Sequence, residues 1–527
     1  MTRLSVNWLT RNFDTPLLAP RLSYAVQDMT AHMIGGPRQM MLEVSGSEDA
    51  LWETANLLRA PTTVRDGRQE PVWWGYASEV SIPSGEFMVG IRLDEMANRV
   101  AVAYTHAMDG GTFSLRETTP FAENPASIAE YGIKELLHGA AAESPGSALN
   151  LRDSLLEAVG LPVPLTNRKS GAGGFGRIYC RGWWDTLSWR YYSQTSGREA
   201  HEGGATTAVP IGGEDEREVA QSFSLTANHE WVVQRVQLRC QKIGAPTDAL
   251  RLSICANNSG QPGTVLETAD VDAANIANNM AVTTFEFDLT TLLQYGTTYW
   301  LVLARTGISD NEDYYRVSVD ATGSYPNGAL YYNDLINNNW YAVDPAEDLI
   351  FDIAGAWETN QQIEAMIADY PNTGFITGIK TPSTGQFSNQ FRGGDTTTMA
   401  EIEALLRVGG ANKRPLLAYI DVNRFLHVYE APARPGFGQD LSWHRLRSNS
   451  VLEDSWGAPV PPEAVMTGMW VRLVDIIPAT ANLQMISDLS SQFIESAAYD
   501  GRSGKTFYTP RGRSNPLDIS KLGGFYG

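Results

Sequence analysis

At 527 residues the chain can hold three or four domains of about 100–200 residues each, and 43% hydrophobic content with 14 Trp, 21 Tyr and 17 Phe excludes a largely disordered protein. A formal net charge of −20 argues against neutralising a phosphate backbone, so neither sequence-independent nor sequence-specific nucleic-acid binding is expected. No run approaches about 18 consecutive apolar residues, and the N-terminus lacks a basic stretch followed by an apolar one, so neither a membrane segment nor a secretory signal is expected.

Residues 1–115 read as β-rich. Trp73 and Trp74 open a strand that continues through Ser78–Ile82, and apolar residues alternate again at Phe87, Val89 and Ile91. The tryptophan pair is read as core. Residues 116–211 mix helices with aromatic strands. Asn124 to Ser127 supplies a helix cap, and Ile128, Tyr131, Leu136 and Leu137 make an apolar stripe. A second helix spans 145–160 and stops at Gly160. The glycines of 171–176 lack the lysine and the strand–loop–helix context of a phosphate loop, so a turn is expected there. After the aromatic run 182–192, residues 194–218 become polar, Gly-rich and charged, which reads as a linker.

Residues 212–357 read as one all-β module. Val236, Leu238 and Cys240 alternate with polar residues, as do Leu250, Leu252 and Ile254, then Phe285, Phe287 and Leu289. Further strands carry Tyr299 to Leu303, Tyr315 to Val319, Tyr331 and Tyr332, Trp340, and Leu349 to Ile353, with turn chemistry at 257–263. Many short strands separated by turns predict a jelly-roll-like β-sandwich. The stretches Ala249–Cys255, Ser259–Gly263 and Tyr295–Leu301 resemble the β-sandwich modules called choice-of-anchor type R, over about a quarter of the chain. A module of that kind specifies little chemistry, because function sits in sites grafted onto folds.

At Trp357 the pattern turns helical, and residues 358–500 read as α/β: a helix over 359–368, a strand over 374–379 and an amphipathic helix over 396–407 ended by Gly409 and Gly410. Strands over 416–420 and 424–429 pair across a turn at 421–423, and another covers 468–473. Residues 501–527 read as a C-terminal arm. The segments Leu51–Asn56, Ser127–Gly132, Phe391–Asp395 and Gly468–Trp470 resemble the hub proteins of long-tailed phages. That resemblance implies a mainly β, multidomain tail-hub scaffold with α/β parts, interrupted by the inserted sandwich. It also implies a virion structural protein at the tail tip, made in the host cytoplasm, in a homo-oligomeric ring, commonly a trimer, with other tail or baseplate proteins as partners. The module adds a host-surface glycan as a further contact. The alternative reading is a carbohydrate-binding surface protein in which the sandwich is the functional part.

No catalytic constellation stands out. The seven histidines form no HExxH or HxH pair, no cysteine stands at ligand spacing from one, and no G-x-S-x-G elbow occurs, so a non-enzyme without a cofactor is expected. Acidic pairs such as Asp94 with Glu95 read as solvated surface rather than as glycosidase carboxylates. Asp310, Glu312 and Asp313 share a turn and could hold Ca²⁺ through oxygen ligands, although the EF-hand spacing is absent. Tyr314, Tyr332 and Trp340 are candidates for a sugar-stacking platform, with core or edge packing as the bland reading. Cys240 and Cys255 fall on opposite phases of their strands, so all three cysteines are expected as thiols.

Overall fold

The computed structural model describes residues 4–511, apart from 18–21, 109–112, 143, 169–174, 195–197, 204–205, 214–216, 226–229, 289–290, 309, 335–338, 344–346, 373, 390–391, 434–443 and 476–490. The fold is multidomain and mostly β-strand, with minor helical content and one sheet curled as a half-barrel. The chain divides into two compact units: Met1–Tyr192 with Ile363–Thr384 and Asp395–Gly527, and Ser193–Gln362 with Gly385–Gly394. Among the described residues no helix is long and apolar enough to cross a membrane.

The first unit is built on a 16-stranded sheet among the described residues. Its middle carries Pro71–Ser84, Gly176–Arg181, Ile34–Ser45 and Ser23–His32 as hydrogen-bonded neighbours, followed by Ser491–Asp500, Trp470–Val474, His444–Arg447 and Leu452–Glu453. Trp73, Tyr76, Ala77 and Val80 are buried from the first of these strands. They meet Trp183, Trp184 and Trp189 from the 3₁₀ helix Trp183–Trp189, so the aromatic run is core. Trp74 stands at the edge of this core, its indole donating to the Ile420 carbonyl at 2.8 Å. The helix Thr398–Val408 lays Ile402, Leu405 and Leu406 into the same core, as its apolar spacing predicts.

The apolar stripe through Leu137 is not one helix. The helix Pro125–Tyr131 ends at Gly132, which takes φ 85°, and Glu135–Ala142 pairs in parallel with Arg99–Met108. Glu135 sits 2.9 Å from Arg99 Nη1 across that pair, which ties the buried carboxylate to the strand. The arm is corrected in part as well, since Lys505–Arg511 is a strand paired antiparallel with Ser491–Asp500. The Gly-rich run 171–176 lies outside the described residues up to Gly174, and Gly176 already belongs to a strand. The strand expected over 374–379 is shorter, Gly378–Lys380, with Phe375 and Ile376 ahead of it in the core.

Among the described residues the second unit is built on a nine-stranded and a six-stranded sheet, whose strands pair antiparallel. The expected linker instead supplies Arg198–His201 and Thr206–Ile211, which pair with Phe351–Glu358 and Tyr314–Asp320. Residues 261–272, which carry no clean alternation, form a long edge strand opposite Ala249–Asn258. Gln221 links the two sheets: its amide donates to Asp348 Oδ1 at 3.0 Å and its carbonyl accepts from Leu349 N at 2.7 Å. Phe351–Glu358 is still a strand where the helical pattern was read to begin, and the helix starts at Thr359.

Candidate functional site

The six-stranded sheet buries apolar side chains on both faces. One face is lined by Val219, Phe223, Leu250, Leu252, Ile254, Leu301 and Leu303, the phase expected from alternation. Cross-strand register places Ser253, Val302, Ala220 and Tyr331 side by side on the opposite face, and Trp340 opposite Asn333. There Ala220, Cys255, Trp300 and Val302 form a buried cluster, with Tyr331 and Trp340 half-buried over it. The rings of Trp300 and Tyr331 meet edge-on at 5.0 Å, and the Trp300 indole donates to Asn257 Oδ1 at 3.0 Å. On the same face Arg251 and Asp270 form a bidentate pair at 2.7 Å, and the guanidinium holds the Asp270 carboxyl below its ordinary range.

The three aromatics singled out in the sequence do not share one platform. Trp340 lies on this face, whereas Tyr332 stands opposite Tyr341 on the other side and donates its hydroxyl to Glu347 Oε2 at 2.9 Å. Tyr314 belongs to the nine-stranded sheet, with the Arg316 guanidinium 5.7 Å over its ring. The face instead presents Trp340 with Tyr331, backed by Trp300. In the acidic turn, Asp310 Oδ1 accepts from Glu312 N at 2.8 Å and Asp313 Oδ1 from Ala245 N at 2.6 Å. Among the described residues no group of three His, Cys, Asp or Glu side chains gathers as a metal site.

The cysteines are free and buried. Cys240 and Cys255 lie in different sheets rather than in neighbouring strands. Burial pushes the Cys180 and Cys240 thiols up to about 12 and the Cys255 thiol up to about 11.

Two arrangements were not read from the sequence. Inside the second unit, His201 Nε2 lies 3.1 Å from Asp320 Oδ2, and Ser324 and Thr322 donate to the same carboxylate at 2.7 Å and 2.8 Å. Tyr325 donates its hydroxyl to Glu199 at 2.8 Å and its backbone N–H to Asp348 at 2.9 Å. The only sequence signal is the acid that closes the apolar strand Tyr314–Asp320, and its His201 partner lies 119 residues away, as Glu199 lies 126 residues from Tyr325. In the first unit, Asp28, Met41, Ala498, Asp500, Arg502 and Phe507 line a cavity of about 450 Å³ on the face of the large sheet. Burial, with Asp500 directly across the strand pair, holds the Asp28 carboxyl above its ordinary range.

No protein-family model matches the chain, and no curated protein matches it. Among solved structures it aligns with the mosquito-larvicidal Cry4Aa toxin of Bacillus thuringiensis at 8% identity and TM-score 0.17, covering 67% of this chain and 58% of the toxin chain. It aligns with a structure of infectious bursal disease virus, Gx strain, at 9% identity and TM-score 0.16, covering 67% of this chain and 78% of that one. Likeness at this level carries no argument about function.

Proposed function

We propose that the chain is a virion structural protein of a long-tailed phage, a tail-hub or baseplate component that closes the tail tube as a homo-oligomeric ring. In this reading the second unit is an inserted jelly-roll-like β-sandwich that meets other tail proteins or the host surface. The observation that supports it is the path of the chain, which leaves the first unit after Tyr192, builds a separate β unit, returns at Ile363 and passes once more through that unit over Gly385–Gly394. A scaffold interrupted by a module suits a protein whose constant part assembles and whose inserted part makes contact. The role is structural rather than catalytic, at the tail tip. Imaging of the native particle with the protein labelled, together with sedimentation of the purified chain, tests it. A strictly monomeric protein absent from virions would overturn it.

A second reading, a carbohydrate-binding surface protein, is favoured by one observation: Trp340 and Tyr331 lie half-buried on one face, both packed against the cluster that holds Trp300. Flat aromatic faces suit the apolar face of a pyranose. Glycan binding by the full chain, abolished by Trp340→Ala in a protein that still melts cooperatively, is the expected result. A flat array with folded protein counts against it.

A further inference from the structure

We propose that Trp456 is the knob of a head-to-tail contact between copies of this chain, seated in the cavity between Ser23–His32, Ser491–Asp500 and Lys505–Arg511 of the next copy. The inference deepens the ring reading above and rests on its self-association. Trp456 is 92% exposed, yet its backbone is firmly held. Asp454 Oδ1 accepts from Trp456 N and from Ala458 N, each at 2.9 Å. The Asp454 N–H donates to the Ala458 carbonyl at 2.8 Å, and Gly457 closes the turn at φ 83°. A side chain that can bury about 150–250 Å² is therefore displayed on a preorganised turn, the form in which interface anchors occur. Among the described residues its indole nitrogen makes no hydrogen bond.

The cavity complements an indole. Its 450 Å³ lies within the range of about 300–1,000 Å³ in which pockets take small rings. Met41 and the half-exposed ring of Phe507 offer a thioether and an aromatic wall. Asp28 offers an acceptor to a group that can only donate, whereas Asp500, opposed to it across the strand pair, already accepts from Arg502 N and Ser503 Oγ. Knob and cavity lie on one sheet, in the order Ser23–His32, Ser491–Asp500, Trp470–Val474, His444–Arg447, Leu452–Glu453, the last strand leading into the Trp456 turn. Trp456 is not among the residues that line the cavity, so each copy gives one surface and receives the other. Such a contact closes into a ring or runs on as a filament. A net charge of −20 disfavours the other common host of an exposed tryptophan, an anionic membrane surface.

Sedimentation velocity of the full chain across a concentration series is the test. Wild type should self-associate, and Trp456→Ala should weaken association by at least roughly thirty-fold, the size of a hot-spot truncation. Ala498→Trp, which fills the cavity, should do the same, with Met41→Arg as a second filling variant and thermal melts as the folding control. Mixed together, Trp456→Ala and Ala498→Trp retain one intact cavity and one intact knob, so they should form a 1:1 dimer and nothing larger. Oligomers untouched by Trp456→Ala, or a mixture that stays monomeric, overturn the contact while leaving the ring reading standing. A wild type monomeric at every concentration overturns both.

Discussion

Lys134 is a lysine held in surroundings unusual for its type. Its ammonium donates to the carbonyls of Leu93 at 2.5 Å and Asp94 at 2.9 Å, and it lies 5.4 Å from the ring of Trp189. Burial lowers its pKa to about 8, against a smaller opposing pull from Asp94 and Asp185. Between about pH 8 and the unfolded value near 10.4, the unfolded chain keeps a proton that the folded one has released, so stability rises with pH in that window. Lys134→Met removes the titration. The stability of the variant relative to wild type should therefore be greatest below pH 8 and fall by roughly 1–2 kcal/mol toward pH 10. Urea melts of both proteins at the two ends of the window measure it, and a constant difference would refute it. Arg59 shows the same tension without a carboxylate. It is 5% exposed between the rings of Phe13 and Phe375, at 5.4 Å and 4.9 Å, with Nε and Nη1 unpaired among the described residues. Burial, then the neighbouring Arg11 and Arg424, depress its pKa to about 10, and the charge is compensated by cation–π contact together with the bond from Nη2 to the Arg11 carbonyl at 2.6 Å.

Element by element, the sequence was readable where one face alone is apolar. The helix Thr398–Val408 follows its spacing, and Thr397 caps it by accepting from Ala400 N. The stripe from Ile128 to Leu137 misled because a strand and a helix can both place an apolar residue at those positions, and a single glycine decides between them. At Gly132 a Cβ would stand 2.6 Å from Phe375 Cζ, in a backbone conformation that side chains rarely adopt. Gly132→Ala should cost roughly 2–4 kcal/mol from strain and overpacking together, read from chemical denaturation. The six-stranded sheet was half-readable for a related reason. Alternation assigned Cys255 to a polar face, but that face is roofed by Trp300, Tyr331 and Trp340, which arrive from strands far away in sequence. The roof is testable through the thiol beneath it. Cys255 should resist alkylation in the native protein, and Trp300→Ala, which removes the ring directly across the strand pair from it, should open it to reagent at a stability cost of about 3–5 kcal/mol. Tyr332→Phe, on the other face, should leave labelling unchanged. Equal labelling of wild type and Trp300→Ala would mean that the indole does not cover the sulfur.

For the molecule as a whole, the outline of a β-rich first half and a separate β module was legible from turn spacing, whereas the edge of that module was not. Residues 194–218 look like a linker because glycine and charge dominate and Pro210 interrupts the only apolar run. Pro210 is tolerated because Thr206–Ile211 is an edge strand, bonded on one side only, to Tyr314–Asp320. A fragment cut at 212 would lose that strand and Arg198–His201 together. It would also lose His201 from the buried Asp320 and Glu199 from Tyr325. Leaving a buried group without its hydrogen-bond partner costs about 1–3 kcal/mol each, together a sizeable part of the stability of a domain this size. A fragment of residues 193–362, which gives up the short strand Phe387–Asn389 of this unit, should still show a cooperative thermal transition, since its core is large enough to stand alone. A fragment of residues 212–357 should melt well below it or without cooperativity. The outcome that sinks this is equal melting of the two fragments, which would make the first two strands additions to a sheet that is complete without them.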